Sequence, residues 1–445
     1  MKQRARITRH TPATFTPHTP KPSATPGAPA TPDTAPKRRS ALRPRPAKAA
    51  AAAVLIAGIA ATAACSAQPD TTGQEPAPNG KSGRAESGAA PAHSPAGGSA
   101  AGKRGFTLAA SGDVLPHSSI IRRANADAGG DGYDFAPMLA GAKPVIRKAD
   151  LAICHMETVY GADGDYSGYP SFKSPPQVAR ALRTTGYDAC STASNHTLDD
   201  GSAGVRRTLD ALDKAGIKHA GSARSAAEDK TPAWLRAGDA KVAQLAYTYG
   251  TNGYPLPKGK PWSVDLIDRG KIVADARAAR KAGADVVVVS LHWGSEWQDA
   301  PDRRQLRLGK QLTASRTGGR PDIDLILGTH AHVPQAYEKV NGTWVIYGMG
   351  DQIAGDMINH EGAHDPRGNQ GTIGRFTFAP PARPGARWEV KKAEFLPMWF
   401  DTDPGRVVNL NTALDRGADV SAVRDRIRRV VLSRGAGKDG LVMGK

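Results

Sequence analysis

Five short polar clusters, each placed where an apolar run ends, constrain this chain more than any other feature of its sequence. The clusters are Gly112-Asp113, Glu157, Asn195-His196, His292-Trp293-Gly294 and Gly328-Thr329-His330-Ala331-His332. Because more than two hundred positions separate the first from the last, these side chains can meet only if a sheet brings several strand ends to one edge. Open α/β sheets bind their ligands at that edge. The pattern therefore predicts an α/β fold with a site at the strand ends.

The clusters offer carboxylate oxygens, an amide oxygen and imidazole nitrogens, which hard and borderline divalent cations prefer. With only three cysteines in the chain, a zinc-finger type of site does not fit. Taken alone, Asp113 could be a turn former and His292 a hydrogen-bonded histidine in an aromatic core. His330 and His332, if they lie on a strand, share one face, as ligands need. Their joint occurrence favours a catalytic metal site over these ordinary alternatives.

The N-terminal part of the chain differs in composition from the rest. Residues 1–48 are rich in Pro, Thr, Ala and basic residues, show no apolar periodicity, and are expected not to fold. The apolar segment 49–64 follows six basic residues and is shorter than the roughly 20 residues of a membrane span, so it indicates a secretory signal. We therefore assign residues 1–64 to a signal segment with a basic disordered extension, and residues 65–103 to a flexible linker.

The signal segment ends in Thr62-Ala63-Ala64-Cys65, which resembles a bacterial lipobox. That resemblance implies cleavage before Cys65 and a lipid thioether on it, which would anchor an exported protein at the outer face of the cell membrane. An ordinary signal peptide with an incidental cysteine is the alternative. Beyond the linker we predict a domain at residues 104–400 and a C-terminal extension with a basic helix at residues 401–445.

The formal net charge of +18 at pH 7 at first suggests an anionic partner. Residues 1–64 contain eleven Lys/Arg and one Asp, so they account for +10 and leave +8 for the remaining chain. A surface of this charge suits an anionic cell-envelope polymer or lipid head groups, although it also serves solubility alone. Aromatic and basic residues do not interleave in the sequence, so no nucleic-acid partner is expected.

Cys154 and Cys190 each fall in a predicted strand. They could pair outside the cytoplasm, or both could be small buried apolar groups, and the sequence alone does not fix their connectivity. Between these two interpretations we favour buried, unpaired cysteines.

Apolar runs separated by turn residues predict an alternation of strands and loops along the folded part. Strands are expected at residues 106–110, 150–154, 187–192, 217–220, 242–247, 285–291, 324–327, 344–347, 372–378 and 388–395. Helices are expected at residues 199–214, 267–282 and 420–432, the first beginning near Asp199 and closed by Gly216. The valine run 286–289 predicts a strand buried on both faces.

Together with Tyr347-Gly348-Met349-Gly350-Asp351, the ordered clusters resemble the CapA/PgsA family of capsule and poly-γ-glutamate biosynthesis proteins, within the calcineurin-like metallophosphoesterase superfamily. The resemblance covers roughly residues 105–351. It implies a four-layer αββα sandwich of two mixed sheets flanked by helices, with two divalent metal ions at the strand ends. Mn, Fe, Zn and Mg all tolerate such mixed ligands.

The resemblance also implies a role for each residue that matches the family pattern. Metal ligands would be Asp113 and His332 for the first ion, Glu157 for both ions, and Asn195, His292 and His330 for the second. His196 would be the catalytic residue, either as the nearby acid or as a hydrogen-bond donor to the transition state. On the substrate side, Lys173, Trp293 and Glu296 are candidate binding residues.

The chain departs from the family pattern at several positions around the site, among them the His-His-Pro-His segment of the family, which reads His330-Ala331-His332 after Thr329. Leu115 stands where the superfamily usually has a histidine, and His117 is the nearest replacement ligand. His155 stands where the family has an asparagine two places before the bridging carboxylate. Asp351 stands where the family has another asparagine, and it could supply an extra ligand.

The function implied is that of a metal-dependent hydrolase or transferase acting on an anionic cell-envelope polymer. Two alternatives stay open from the sequence. One is a noncatalytic accessory subunit that binds the polymer or a membrane synthase complex. The other is a phosphodiesterase of small substrates.

Overall fold

The computed structural model describes residues 104–383 and 386–445. The predicted signal segment, the linker and Cys65 lie outside the described residues. Within them the strands are β1 (Phe106–Val114), β2 (Leu151–Met156), β3 (Val159–Tyr160), β4 (Lys173–Ser174), β5 (Ala189–Ser191), β6 (Lys218–Ala220), β7 (Ala233–Ala237), β8 (Ala240–Thr248), β9 (Val286–His292), β10 (Arg316–Thr317), β11 (Arg320–Pro321), β12 (Leu325–Thr329), β13 (Tyr337–Val340), β14 (Thr343–Ile346), β15 (Asp351–Ile353), β16 (Gln370–Ala379), β17 (Glu389–Asp401), β18 (Arg406–Asn409) and β19 (Leu441–Met443).

The helices are α1 (Ser118–Asp127), α2 (Lys143–Ile146), α3 (Gln177–Thr185), α4 (Gly201–Ala215), α5 (Ala226–Asp229), α6 (Arg269–Lys281), α7 (Arg303–Thr313), α8 (Leu410–Asp415) and α9 (Ser421–Val431). Two helix ends illustrate ordinary capping chemistry. Asp302 and Gln305 form a capping box at the start of α7, and Gly216 closes α4 in the left-handed conformation that glycine adopts without strain. In the part of the chain that the structure describes, none of the helices is long and apolar enough to cross a membrane.

Two mixed sheets form the centre of the domain. The nine-stranded sheet has the order β18-β17-β16-β1-β2-β5-β6, with β15 also paired to β1 and β19 to β17. The six-stranded sheet has the order β13-β14-β12-β9-β8-β7. In the six-stranded sheet β14, β12, β9 and β8 are parallel, and the edge strands β13 and β7 are antiparallel to their neighbours. In the nine-stranded sheet β1, β2, β5 and β6 are parallel, whereas β16, β17 and β18 extend the sheet on the other side of β1 in antiparallel pairs. Two short ribbons, β3-β4 and β10-β11, lie outside these sheets.

Three hydrophobic cores separate four layers. One core lies between the sheets and contains Leu108 of β1 and Val288 of β9. A second core packs the other face of the nine-stranded sheet against α1, α3 and α4, and a third packs the other face of the six-stranded sheet against α6 and α7. Along the valine run, residues 286 and 288 enter the core between the sheets while residues 287 and 289 enter the outer core, as the two-residue period of a strand requires. The predicted four-layer αββα sandwich is therefore confirmed.

All ten predicted strands and all three predicted helices are confirmed, with ends that differ by a few residues. The sequence did not predict α1, α3 and α7, nor the short strands β7, β13, β15, β18 and β19. Segment 401–445, which the sequence assigns to a C-terminal extension, supplies β18 and β19 to the nine-stranded sheet. Ile427 and Val431 of α9 are fully buried in the core between the sheets.

Cys154 and Cys190 form a disulfide between the neighbouring parallel strands β2 and β5. Both residues are buried, as expected from the sequence, but the interpretation that they are unpaired was wrong. The cause is strand register, which sets the two cysteines directly opposite each other with their Cα atoms 4.4 Å apart, a separation that a disulfide can span. Registers of this kind depend on which strands become neighbours, and the sequence does not reveal that.

Replacing both cysteines by alanine should lower the free energy of unfolding by about 2–4 kcal/mol, because the disulfide closes a loop between residues 36 apart in sequence and so restricts the unfolded chain. Urea unfolding without reductant measures the loss. Reduction of the wild-type protein should reproduce it, whereas the double variant should not respond to reductant. A wild-type unfolding curve that reductant leaves unchanged would contradict the cross-link.

Candidate metal centre

The carboxyl ends of parallel strands from both sheets converge on one buried polar cluster. Each of the six predicted metal ligands lies at or just beyond such an end: Asp113 in β1, Glu157 after β2, Asn195 after β5, His292 in β9, and His330 and His332 after β12. The structure thus brings together side chains that the sequence separates by more than two hundred positions.

Two of the residues at which the chain departs from the family pattern also lie in this cluster, because the strands that carry them pair with β1. His155 on β2 and Asp351 on β15 are the register partners of Asp113 on the two sides of β1. The Nε2 atom of His155 lies 3.7 Å from Oδ1 of Asp113, and Nδ1 of His332 lies 3.1 Å from Oδ1 of Asp351. Both departures therefore add donor atoms to the site.

Three groups of donor atoms in this cluster are close enough to hold metal ions, each with its atoms within 4.8 Å of one another. They are Asp113, His155, Glu157 and His292; Glu157, His330 and His332; and Asp113, His332 and Asp351. Since Asp113, Glu157 and His332 each belong to two groups, the three form one continuous cluster. Asn195 adjoins it, with its Oδ1 atom 2.9 Å from Nε2 of His292.

The cluster holds buried polar atoms that no protein group satisfies. Without a hydrogen-bond partner are Oδ1 of Asp113, both carboxylate oxygens of Glu157, Nε2 of His155, Nδ1 of His330 and Oδ2 of Asp351. Leaving such groups unpaired away from water costs several kcal/mol, and the cost is greatest for charged groups. A divalent cation would satisfy these atoms together, so the donor set fits a metal site and can hold metal ions.

Burial and charge perturb the ionisation of the cluster strongly. Burial, and then the neighbouring charge of Asp351, raise the pKa of Asp113 well above its usual value; burial and the charge of Asp113 do the same to the pKa of Glu157. Burial, followed by the other imidazoles, lowers the pKa values of His292 and His330. Without a cation the cluster therefore disfavours ionised carboxylates, which is the electrostatic condition that a divalent ion relieves.

Close backbone approach explains the glycine beside Asp113. A Cβ atom on Gly112 would lie 1.7 Å from the carbonyl oxygen of Gly350, and the Asp113 N–H group donates to this same oxygen at 3.1 Å. Only glycine leaves room for this contact, which fixes the end of β1 and hence the carboxylate of Asp113.

His330 and His332 lie beyond the end of β12 and both have left-handed backbones, with φ values of 89° and 57°. Strand alternation, which would put both on one face if they lay on a strand, therefore does not apply to them. Left-handed non-glycine residues cost roughly 1–3 kcal/mol each and persist where the surroundings hold them. Here the His330 N–H group donates to Oδ2 of Asp113 at 3.0 Å, so the turn and the cluster support each other.

His196 directly follows the predicted ligand Asn195, and its imidazole is held by a hydrogen bond to a buried carboxylate. Its Nδ1–H group donates to Oδ2 of Asp199 at 2.7 Å, and the Phe172 N–H group donates to the same oxygen. Asp199 was expected to begin helix α4, but the residue before that helix is Asp200 and the Asp199 side chain is buried. That expectation was wrong because Asp199 instead orients His196 by accepting from Nδ1, and the other ring nitrogen, Nε2, lies 3.5 Å from Nδ2 of Asn252.

Four further residues predicted from the sequence lie outside the three donor groups. His117 stands edge-on to Phe172 at 5.0 Å between ring centroids. Lys173 is ion-paired with Asp165. Trp293 is 3% exposed, lies in the outer core of the six-stranded sheet, and donates its indole N–H to the Tyr347 carbonyl. Glu296 lies 3.7 Å from His360, and its charge acts on Glu157 and His332.

The loop that follows β8 supplies site residues that the sequence analysis missed. The Tyr249 ring lies 4.4 Å from the His330 ring, and Nδ2 of Asn252 lies 3.5 Å from Nε2 of His196. A signal was present, since β8 is a predicted strand whose carboxyl end should reach the same edge as the others. Residues 249–257 contain no charged or imidazole side chain, so the sequence pattern did not mark this part of the loop as a site.

Comparison with known proteins shows that the donor cluster lies within the region matched by a protein family. The family model for "Bacterial capsule synthesis protein PGA_cap" matches residues 107–356, which is more than half of the chain and includes every donor named above. The chain is 26% identical over 180 residues to "Capsule biosynthesis protein CapA" of Bacillus anthracis, covering 40% of this chain and 42% of that protein. It is 24% identical over 216 residues to "PGA biosynthesis protein CapA" of Bacillus subtilis, covering 47% and 55%.

The chain thus spans about half the length of the relatives it matches. Among solved structures, the calcineurin-like phosphoesterase YfkN from Bacillus subtilis aligns with 73% of this chain and 99% of its own, at 14% identity and a TM-score of 0.36. A likeness of that size adds nothing to the functional argument. The family match does, and with the ordered clusters and the fold it confirms the CapA/PgsA resemblance: this chain belongs to the PGA_cap family of bacterial capsule synthesis proteins.

Proposed function

We propose that this protein is a metal-dependent hydrolase or transferase that acts on an anionic polymer of the cell envelope. The observation that carries the proposal is the buried donor cluster whose carboxylate and imidazole atoms lack protein partners. A metal site that served only to stabilise the fold would not need a second imidazole, outside the donor groups, held in a fixed orientation by a carboxylate. His196, which Asp199 orients, is such an imidazole.

We infer two divalent ions, chosen from Mn, Fe, Zn and Mg. Asp113, His332 and Asp351, which form one donor group, would hold the first ion. By the family pattern, Asn195, His292 and His330 would hold the second. Glu157 would bridge both, and His155 would add a nitrogen close to Asp113. When bound, such a pair of ions supplies a water of lowered pKa and neutralises charge on the entering and leaving oxygens.

His196 would hold the proton that the leaving oxygen takes up. Asp199 fixes the imidazole by accepting from Nδ1, so the other ring nitrogen, Nε2, exchanges the proton with the substrate. Asn252 adjoins Nε2 at 3.5 Å and would help to orient the group that enters.

The substrate assignment draws on the relatives, whose names refer to capsule and PGA biosynthesis. The net charge of +8 outside residues 1–64 favours an anionic polymer. We also propose export, with lipid attachment at Cys65 on the outer face of the membrane. The disulfide between Cys154 and Cys190 supports export, because disulfides persist mainly in oxidising compartments.

Elemental analysis of the purified protein, together with turnover of p-nitrophenyl phosphodiesters and of poly-γ-glutamate, tests the proposal. We expect about two divalent ions per chain. His330→Ala should lower both the metal content and turnover, while His364→Ala, which changes an exposed histidine, should lower neither.

Each other result would overturn a stated part of the proposal. Metal without any turnover would favour a noncatalytic subunit that binds the polymer or a membrane synthase. Turnover confined to small diesters would favour a small-substrate phosphodiesterase. A protein that stays metal-free after reconstitution would remove the metal centre itself.

A further inference from the structure

The loop between β9 and α7, residues 293–302, lies directly against the donor cluster. The Trp297 N–H group donates to the Ala331 carbonyl at 2.9 Å, and Ala331 stands between the left-handed residues His330 and His332. The Trp297 ring lies 6.1 Å from the His332 ring. The loop therefore contacts the turn that carries two of the proposed metal ligands.

Trp297 has a backbone conformation that needs support from its surroundings. Its φ value is 65°, in the left-handed region that a non-glycine residue keeps only where neighbouring groups hold it. Its carbonyl accepts from Nη1 of Arg367 at 3.4 Å, and its ring packs against a small apolar cluster that includes Met357. The groups that hold Trp297 therefore also bear on the position of His332.

The same loop is held on two sides next to Trp297. On one side, Nη2 of Arg426 lies 2.7 Å from both carboxylate oxygens of Asp299. On the other side, Nε2 of the fully buried Gln335 donates to the Gln298 carbonyl at 2.7 Å. Since Asp299 is only two residues beyond Trp297, the ion pair with Arg426 restrains the segment that contacts the donor cluster.

Arg426 is well fixed because α9 is anchored in the protein interior. The next residue, Ile427, is fully buried in the core between the sheets, and Nη1 of Arg426 donates to Oε1 of Gln370 on β16 at 2.6 Å. An isolated surface ion pair contributes little to stability, whereas one within a network of fixed geometry contributes more. Arg426 lies outside residues 107–356, which the family model matches, so the family pattern does not account for it.

We propose that Arg426 is a positioning residue of the metal centre. It holds Asp299, and with it the loop in which Trp297 contacts the turn of His332. Through that contact the C-terminal segment would keep His332 in place for the first metal ion. The inference rests on the proposed function, since it concerns the same metal centre, and it adds a support that comes from outside the family-matched region.

Amide hydrogen exchange of the metal-free, full-length protein tests the support directly. In Arg426→Gln the amides of Trp297 and of residues 328–333 should exchange about fivefold faster than in wild type, because the loop opens more readily without the ion pair. Arg434→Gln is the matched control. It removes another ion pair of the C-terminal segment, the one with Glu338 on β13, and should leave these amides unchanged.

Titration calorimetry of the same metal-free samples with Mn²⁺ gives a second measurement. Arg426→Gln should weaken Mn²⁺ binding about fivefold while Arg434→Gln does not, since a residue that orients a ligand affects metal affinity beyond its effect on stability. Arg426→Lys, which keeps the charge, should retain part of the affinity. In a chain that carries Asp299→Asn, the change at Arg426 should add little, because both changes remove one contact. Asp299→Asn alone also tests the contact if Arg426→Gln does not fold.

Unchanged exchange at Trp297 in Arg426→Gln would overturn the inference. Equal effects of Arg426→Gln and Arg434→Gln would overturn it too, because they would indicate a general loss of stability. Faster exchange without weaker Mn²⁺ binding would show that the loop does not position a ligand. If the wild-type protein binds no Mn²⁺, the proposed function fails and the role in metal binding fails with it, while the exchange data show separately whether Arg426 holds the loop.

Discussion

Replacing Glu157 by glutamine should strip the cluster of metal and also make the metal-free protein more stable at pH 8. Metal affinity falls because Glu157 belongs to two of the three donor groups, and the amide brings no charge to them. Stability rises because the carboxylate is 1% exposed and neither of its oxygens has a partner in the metal-free protein. An amide of the same shape avoids burying that charge.

The sign of the pH dependence follows from the raised pKa of Glu157, which burial and then Asp113 cause in the folded protein. In the unfolded chain a glutamate ionises near pH 4.3, at about its ordinary value. Below that pH both states are protonated and the group costs nothing. As the pH rises, the unfolded chain releases a proton that the folded protein keeps, and metal-free wild type loses about 1.4 kcal/mol per pH unit until the folded pKa is reached.

The measurement is chemical unfolding of metal-free wild type and Glu157→Gln at pH 5 and pH 8. The stability of the variant relative to wild type should increase between the two pH values. Glu361→Gln, which changes an exposed acid, provides the control and should show no such trend. A variant that is less stable than wild type by the same amount at both pH values would show that Glu157 is neutralised by the protein itself, without metal.

The strands and most of the donor set could be predicted because both depend on local patterns. Apolar runs of the right length located the parallel strands, and the polar residue at each carboxyl end gave Asp113, Glu157 and His292. The rule that parallel strand ends meet at one edge then required only that these strands share a fold. Burial of the valine run on both faces followed from its length and its β-branched composition.

What could not be predicted depends on strand pairing between distant segments. Asp351 was suggested as a possible extra ligand only by the family resemblance, and it enters the site because β15 pairs with β1 across more than two hundred residues. The Cys154–Cys190 disulfide depends on the register of β2 against β5. His330 and His332 reach the cluster through left-handed backbones rather than strand alternation. Local residue patterns carry no information on any of these three features.

Replacing His196 by alanine should lower turnover by about 10²–10⁴ while the protein keeps its metal. The reason is positional, since His196 belongs to none of the three donor groups in the described part of the chain and its Nδ1 atom is held by Asp199. A residue that moves a proton without holding metal affects the reaction alone. Elemental analysis of the same samples should show an unchanged metal content.

A double-variant cycle separates this role from a structural one. Asp199→Asn should also lower turnover, because the amide holds the imidazole less firmly, yet in a chain that already lacks His196 it should cost little more. His364→Ala again serves as the control. If His196→Ala loses metal in proportion to activity, His196 is a ligand rather than a proton donor. If the two losses of turnover multiply, Asp199 does not act through the imidazole. It would then act through the Phe172 N–H group, which also donates to it, and so position the loop that carries Phe172.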